Sequence, residues 1–220
     1  MDDIRIDRLI RSKRKTIGLQ VTPGGELVVR IPYFLKSATL ADFIQKKAPW
    51  IKSKQDEARR RTISRPEFRD GERFLFLGRY FRLKITQDKR FLFDNAFYLP
   101  KDLRPRARDL MVSWYRREAK KYITGRVQKT ARDLNISYLK INITSAGKRW
   151  GSCSAGGNLN FPYRLVMAPP VIIDYVIVHE LLHILERNHS RRFWKEVEKV
   201  MPGYRKYRAW LKDNGHLMVI

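Results

Sequence analysis

Apolar residues change their spacing several times along this 220-residue chain, and each change predicts an element. Ile17, Leu19 and Val21 alternate with polar neighbours, Thr22-Pro-Gly-Gly25 supplies a turn, and Leu27, Val29 and Ile31 alternate again. Side chains repeat every two residues along a strand, so this is a hairpin pattern. Residues 38–61 switch to helical spacing, from Ala38 past Trp50 into the basic Glu57-Ala-Arg-Arg-Arg61 run, with Pro49 predicting a kink or a break. Strand patterns return from Arg73 to Ile85 and from Arg90 to Leu99, with turns at Asp70-Gly71 and Asp94-Asn95. Pro105 then opens a long amphipathic helix to about Leu134, with Leu110, Trp114, Tyr122 and Val127 on its inner side.

Further on, Leu139, Ile141 and Ile143 alternate as a half-buried strand, and Asn158-Leu-Asn-Phe161 follows a Gly156-Gly157 turn as a second, short one. Pro169-Pro170 stand where proline is tolerated at the start of a helix. Ile172, Tyr175, Val176, Val178 and Leu182 continue from there as an apolar stripe, with Asp174 near its start. The pattern predicts an α+β chain. A strand-rich region with one helix occupies residues 1–100. A second part, residues 101–220, combines the long helix, a small sheet with an edge strand, and the helix beginning at Pro170. No repeat or low-complexity segment interrupts it.

That last helix carries the chemistry. Val178-His-Glu-Leu-Leu-His183 places two histidines four residues apart, on one helical face, as a shared metal ion requires. Glu180 projects to the side of that face, where it can hold a water without becoming a ligand. A third histidine, His189, follows six residues later, so three of the four histidines fall within eleven residues. A continued helix would carry His189 through about 600°, away from the other two. It joins them only if the helix ends first, and Asn188, which tolerates the left-handed conformation, is the expected break. Glu196 and Glu198 are rival third ligands, which would make a two-histidine, one-carboxylate site. His189 is favoured, because a neutral imidazole beside a helix end has little other reason to be there.

Three protein ligands leave Zn²⁺ an open position for water, whose pKa the metal pulls toward about 7. Glu180 is then the expected general base, passing the proton on to the leaving group. Upstream, Lys148-Arg149-Trp150-Gly151-Ser152-Cys153-Ser154 and Asn158-Leu-Asn-Phe161 fit a cleft wall, with Arg149, Trp150, Asn158 and Asn160 as candidate substrate-binding residues. The short second strand, placed at a sheet edge, could pair with an extended polypeptide. Trp150 packed in the core under the stem of Arg149 is the plain alternative. Ser190 reads as a helix N-cap, Tyr204 and Tyr207 as core aromatics with a phenol that could reach an oxyanion, and His216 as exposed.

The blocks Arg149-Trp-Gly-Ser-Cys153, Asp174-Tyr-Val-Ile-Val-His-Glu-Leu-Leu-His183, Arg187-Asn-His-Ser190 and Phe193-Trp194 resemble the YgjP-like metal-dependent hydrolases. These are small zincins, also described as YgjP-like metallopeptidases and distantly similar to SprT-like proteases. The early Arg-Lys-Thr-Ile-Gly-Leu segment and Ala48-Pro-Trp50-Ile extend the likeness. The resemblance implies a zincin-like catalytic part, one Zn²⁺ held by His179, His183 and His189, Glu180 as catalytic base, and a bacterial or archaeal cytosolic setting. A phosphohydrolase activity on nucleotides has also been attributed to members. Glu186 stands where the longer metzincin signature has glycine, so the turn here must be built differently.

Composition adds limits. At 43% hydrophobic the chain can bury a substantial core, and no run approaches the eighteen apolar residues of a membrane span. The polar N-terminus lacks a signal-peptide core, and the single cysteine, Cys153, excludes an internal disulfide; both suit a cytoplasmic protein. Against 22 acidic residues stand 47 basic ones, a net charge of +25. Such a surface attracts polyanions at low salt, so non-specific nucleic-acid binding is expected. The partners that remain are a polypeptide or, for a phosphohydrolase, a nucleotide guided by Arg149 or Lys148. A nucleic-acid-binding module with a structural zinc fits least, since structural sites are normally closed by four ligands.

Overall fold

The computed structural model describes residues 4–22, 24–60 and 66–220, so Pro23 of the hairpin turn and Arg61 at the expected helix end lie outside the described residues. The chain divides into two compact units, Met1–Ser64 and Arg65–Ile220.

In the first unit the hairpin forms as its alternation predicts: β2 (Gly18–Val21) runs antiparallel to β3 (Leu27–Pro32). A strand without an apolar pattern, β1 (Arg8–Ser12), pairs in parallel with the other side of β3, giving the order β1-β3-β2. Its basic sequence hid it, because an exposed strand needs no buried face. The Asp7 carboxylate anchors its start by accepting the Leu27 N–H at 2.6 Å. Helix α1 (Ser37–Arg60) runs through Pro49 without breaking. Leu40, Ile44 and Ile51 stay buried against Leu27, Val29 and Ile31 on both sides of the proline, and this packing outweighs the lost backbone bond.

The second unit begins earlier than the expected boundary near residue 100. Strands β4 (Arg73–Phe76), β5 (Arg79–Thr86), β6 (Leu92–Phe93) and β7 (Phe97–Pro100) form one sheet in the order β4-β5-β7-β6. Their Phe74, Leu83, Phe97 and Leu99 share a single core with Met111, Trp114 and Tyr115 of α2 (Ala107–Asp133). Strands that bury their apolar faces on that helix belong to its unit. Leu110 and Tyr122 are only partly buried; the inner seam of α2 runs instead through Ala107, Met111, Tyr115, Ala119, Ile123, Val127 and Ala131. Its three alanines allow close packing.

A second sheet holds β8 (Lys140–Thr144), β9 (Ser152–Cys153) and β10 (Asn158–Pro162) in the order β8-β10-β9. Here the expected edge strand is corrected. β10 lies in the middle, parallel to β8 and antiparallel to β9, so the edges are β8 and β9. Helices α3 (Pro170–Leu185), α4 (Arg191–Val200) and α5 (Tyr204–Asn214) complete an α+β fold. None of the described helices is long and apolar enough to cross a membrane.

Two devices seat α3. The β4–β5 turn, with Leu77 and Gly78 at positive φ, donates its N–H groups to Val166 and Met167 carbonyls at 2.7 and 3.1 Å. A Cβ on Gly78 would come within 2.9 Å of the Pro169 backbone, so only glycine lets the turn meet the helix start. Asp174 then accepts two bonds from the Arg126 guanidinium of α2, one of them 2.7 Å from Nε. Replacing Asp174 with Ala is expected to lower unfolding stability by about 1 kcal/mol, since the pair is partly solvated. Urea titration of the two proteins measures it.

Candidate active site

Helix α3 carries His179, Glu180 and His183 in its last two turns and stops at Leu185. The break falls at Glu186, which is extended at φ −136° and ψ 104°, and not at Asn188, which is not among the residues at positive φ. The metzincin turn glycine is thus replaced by an ordinary extended residue, which needs no left-handed backbone. From there the chain folds back. Ser190 caps α4 by accepting the Phe193 N–H at 3.2 Å, as its sequence position predicts, and His189 is held just before that cap.

The turn brings the three imidazoles together. Their Nε2 atoms are 3.2 Å apart between His179 and His183, 3.1 Å between His183 and His189, and 3.0 Å between His179 and His189. Zinc–nitrogen bonds of about 2.0–2.1 Å at tetrahedral angles separate ligand atoms by about 3.3 Å. His183 Nδ1 lies 3.0 Å from the Glu186 carbonyl, to which it donates, leaving its Nε2 lone pair free to face the others. Burial, reinforced by the neighbouring histidines, pushes His179 down to about 3, so its imidazole is neutral. Three lone pairs converging this closely repel unless a cation lies between them. The donor set fits one metal ion. Glu196 and Glu198 are not part of this cluster, and Glu196 pairs with Lys199 at 2.8 Å.

Phe193, fully buried, forms the floor under the cluster. Its ring stacks on His183 at 4.4 Å between centroids and meets His179 and His189 edge-on at 5.0 and 5.1 Å. Trp194 stacks on His189 at 5.5 Å. An apolar base of this kind fixes ring orientation and keeps water from competing beneath the site.

Glu180 is the one buried charged residue among those described. Burial pushes its carboxyl up to about 7, against the opposing charge of Arg149. A cation held by the adjacent histidines pulls it back toward the ionised form. Its carboxylate packs directly on Gly151. A Cβ there would lie 2.4 Å from Glu180 Oε1 and 2.6 Å from its Cγ. Gly151→Ala is therefore expected to push the carboxylate aside and cut turnover by about 10- to 100-fold, because small misplacements cost that much. The content of bound metal, measured in parallel, should stay unchanged.

The geometry coincides with a family match. A model of the YgjP-like metallopeptidase domain covers residues 15–214. The chain belongs to the YgjP-like metallopeptidase family. It is thereby a metal-dependent hydrolase. Two solved structures are similar to part of this family member. The metallopeptidase zymogen of Pyrococcus abyssi abylysin is 22% identical at a TM-score of 0.37, covering 41% of this chain and 93% of its own. That of Methanocaldococcus jannaschii jannalysin is 24% identical at 0.38, covering 43% and 96%. No protein with a curated description matches the sequence.

The other residues singled out in the sequence are placed unequally. Arg149 is exposed and lines a cavity of about 360 Å³ with Ser152, Cys153, Arg187 and the three histidines. Trp150 is half-buried under the Arg164 guanidinium, 5.0 Å from its ring, and lines a second cavity on the other side of Glu180. Asn158 and Asn160 line neither. The Asn158 side chain donates to Ser154 Oγ, and that of Asn160 bonds Asn142 and Ser152, because β10 is the central strand and their amides lock the sheet together. The wall beside the histidines is β9. Tyr204 is buried and stacks on Trp194 at 5.0 Å, and His216 is half-buried instead of exposed. Burial pushes the Cys153 thiol up, so it is a poor nucleophile where it lies. Gly151 and Phe193 were not singled out for these contacts by composition or spacing. A glycine directly after a cleft tryptophan was the one available hint.

Proposed function

We propose that the protein is a zinc peptidase that cleaves extended polypeptides, with His179, His183 and His189 as the metal ligands and Glu180 as general base. The observation that carries this reading is the convergence of three imidazole nitrogens beside a buried carboxylate that is not itself a ligand. A bound zinc ion supplies a Lewis acid that acidifies water and polarises a carbonyl. The chain's own groups do the rest. Glu180 Oε takes the proton of the attacking water and returns it to the departing amine, and Gly151 leaves its carboxylate the room to do so. Arg149 supports the ionised form by charge. Among the described residues β9 pairs on one side only, with β10, so its outer backbone groups beside the histidines can hydrogen-bond an extended chain.

The nucleotide phosphohydrolase reading has the cationic cleft in its favour, through Arg149 and Arg187. Both are tested by incubating the zinc-loaded protein with casein and with nucleoside triphosphates, using Glu180→Gln as control. Glu180-dependent casein cleavage with triphosphates left intact is expected. Triphosphate hydrolysis without peptide cleavage would overturn the peptidase reading. The cytoplasmic setting and non-specific polyanion binding remain parts of the proposal; the latter is checked by loss of DNA retention as salt rises.

A further inference from the structure

The second cavity beside Glu180 has a composition of its own. Trp150, Val176 and Leu211 give it an apolar wall, Tyr175 adds an aromatic face, and its volume is about 360 Å³. That is within the range of pockets that bind small groups, roughly 300–1,000 Å³. Its cations are Arg208 and Lys212, four residues apart and so on one face of α5. The single carboxylate in the lining is Glu180, which is turned onto Gly151. Arg208 is exposed, lies over the Trp194 ring at 5.2 Å, and has no carboxylate partner among the described residues. An arginine left without an acid at the mouth of an apolar pocket, next to the catalytic centre, is arranged to receive one.

We propose that this cavity is the specificity pocket of the enzyme and that it selects a carboxylate of the polypeptide substrate. The carboxylate is that of an Asp or Glu side chain or of the chain terminus. The inference rests on the peptidase reading and adds the substrate class to it. Methylene groups of the bound residue lie against Trp150 and Leu211, away from water. The carboxylate meets the guanidinium fork of Arg208, whose planar donors match it two to two, while Lys212 adds positive charge at the same rim. A glutamine of the same shape keeps the apolar contact and loses the ion pair. A lysine meets like charge.

The test uses zinc-loaded Glu180→Gln protein, which binds without cleaving, and fluorescent short peptides that differ only in a central Glu, Gln or Lys. Each is prepared with an amidated and with a free C-terminus. Fluorescence anisotropy is expected to show the Glu or free-acid peptide binding about tenfold more tightly than its neutral counterpart, and the Lys peptide most weakly. Preference for Glu in amidated peptides assigns the side chain; preference confined to the free acid assigns the terminus. Adding Arg208→Gln should bring the ratio close to one. Equal binding of all forms, or a preference that survives Arg208→Gln, overturns the proposal. Casein cleavage by the wild type separates the two claims. An enzyme that cleaves casein while ignoring charge loses the pocket alone, and a protein that binds acid selectively yet cleaves nothing loses the peptidase reading alone.

Discussion

Glu180→Gln is expected to keep one zinc per chain and to lose about 10²- to 10⁴-fold in the hydrolysis of unfolded polypeptide. The amide has nearly the carboxylate's shape, so the packing on Gly151 and the fold survive. It cannot take a proton from water, and no other described carboxylate belongs to the site: Glu196 is engaged with Lys199, and the Glu186 carboxylate is paired with Arg192 at 4.0 Å. Initial rates with metal content measured on the same sample give the result. A rate within a few fold of wild type would remove Glu180 from the chemistry.

His189→Ala is the second large effect. With two of three nitrogens left, zinc affinity should fall by well over the roughly 100-fold that loss of a supporting contact costs. Activity falls with it at any modest zinc concentration. His189 projects from a short turn and not from α3, and Ser190 still caps α4, so thermal unfolding of the metal-free protein should move little. Glu196→Gln and Glu198→Gln serve as the contrast: both should keep zinc, since neither carboxylate approaches the imidazole cluster. Competition with a fluorescent zinc chelator reads all three.

These residues show what a linear pattern carries. His179, Glu180 and His183 were legible because they lie within two turns of one helix, where position is a matter of phase alone. His189 was legible as a third member of the imidazole cluster by the same arithmetic run in reverse, since it could join only if the helix stopped. The stopping place was misjudged. Asn188 tolerates a left-handed turn, but the chain reverses through extended Glu186, whose carbonyl then holds His183 Nδ1. That choice depends on what the carbonyl meets in space, which no local preference encodes. The sheets divide in the same way. The alternation in β2 and β3 named the hairpin, whereas β1, with Leu9 and Ile10 adjacent and no residue fully buried, had no alternating face to betray it. Asn158 and Asn160 were expected on an edge strand because β9, only two residues long, was too short to read as the strand that covers β10. Gly151 meets Glu180 only through a contact between elements distant in the chain.

The central claim is that a zinc ion on His179, His183 and His189, served by Glu180, hydrolyses peptide bonds. Its most direct test is mass spectrometry of casein digested in ¹⁸O-water by zinc-loaded wild type and by Glu180→Gln. New C-termini carrying ¹⁸O in the wild-type digest, and none above background with the variant, are the predicted result. Unlabelled or absent new termini in the wild-type digest, or equal labelling by both proteins, would contradict it.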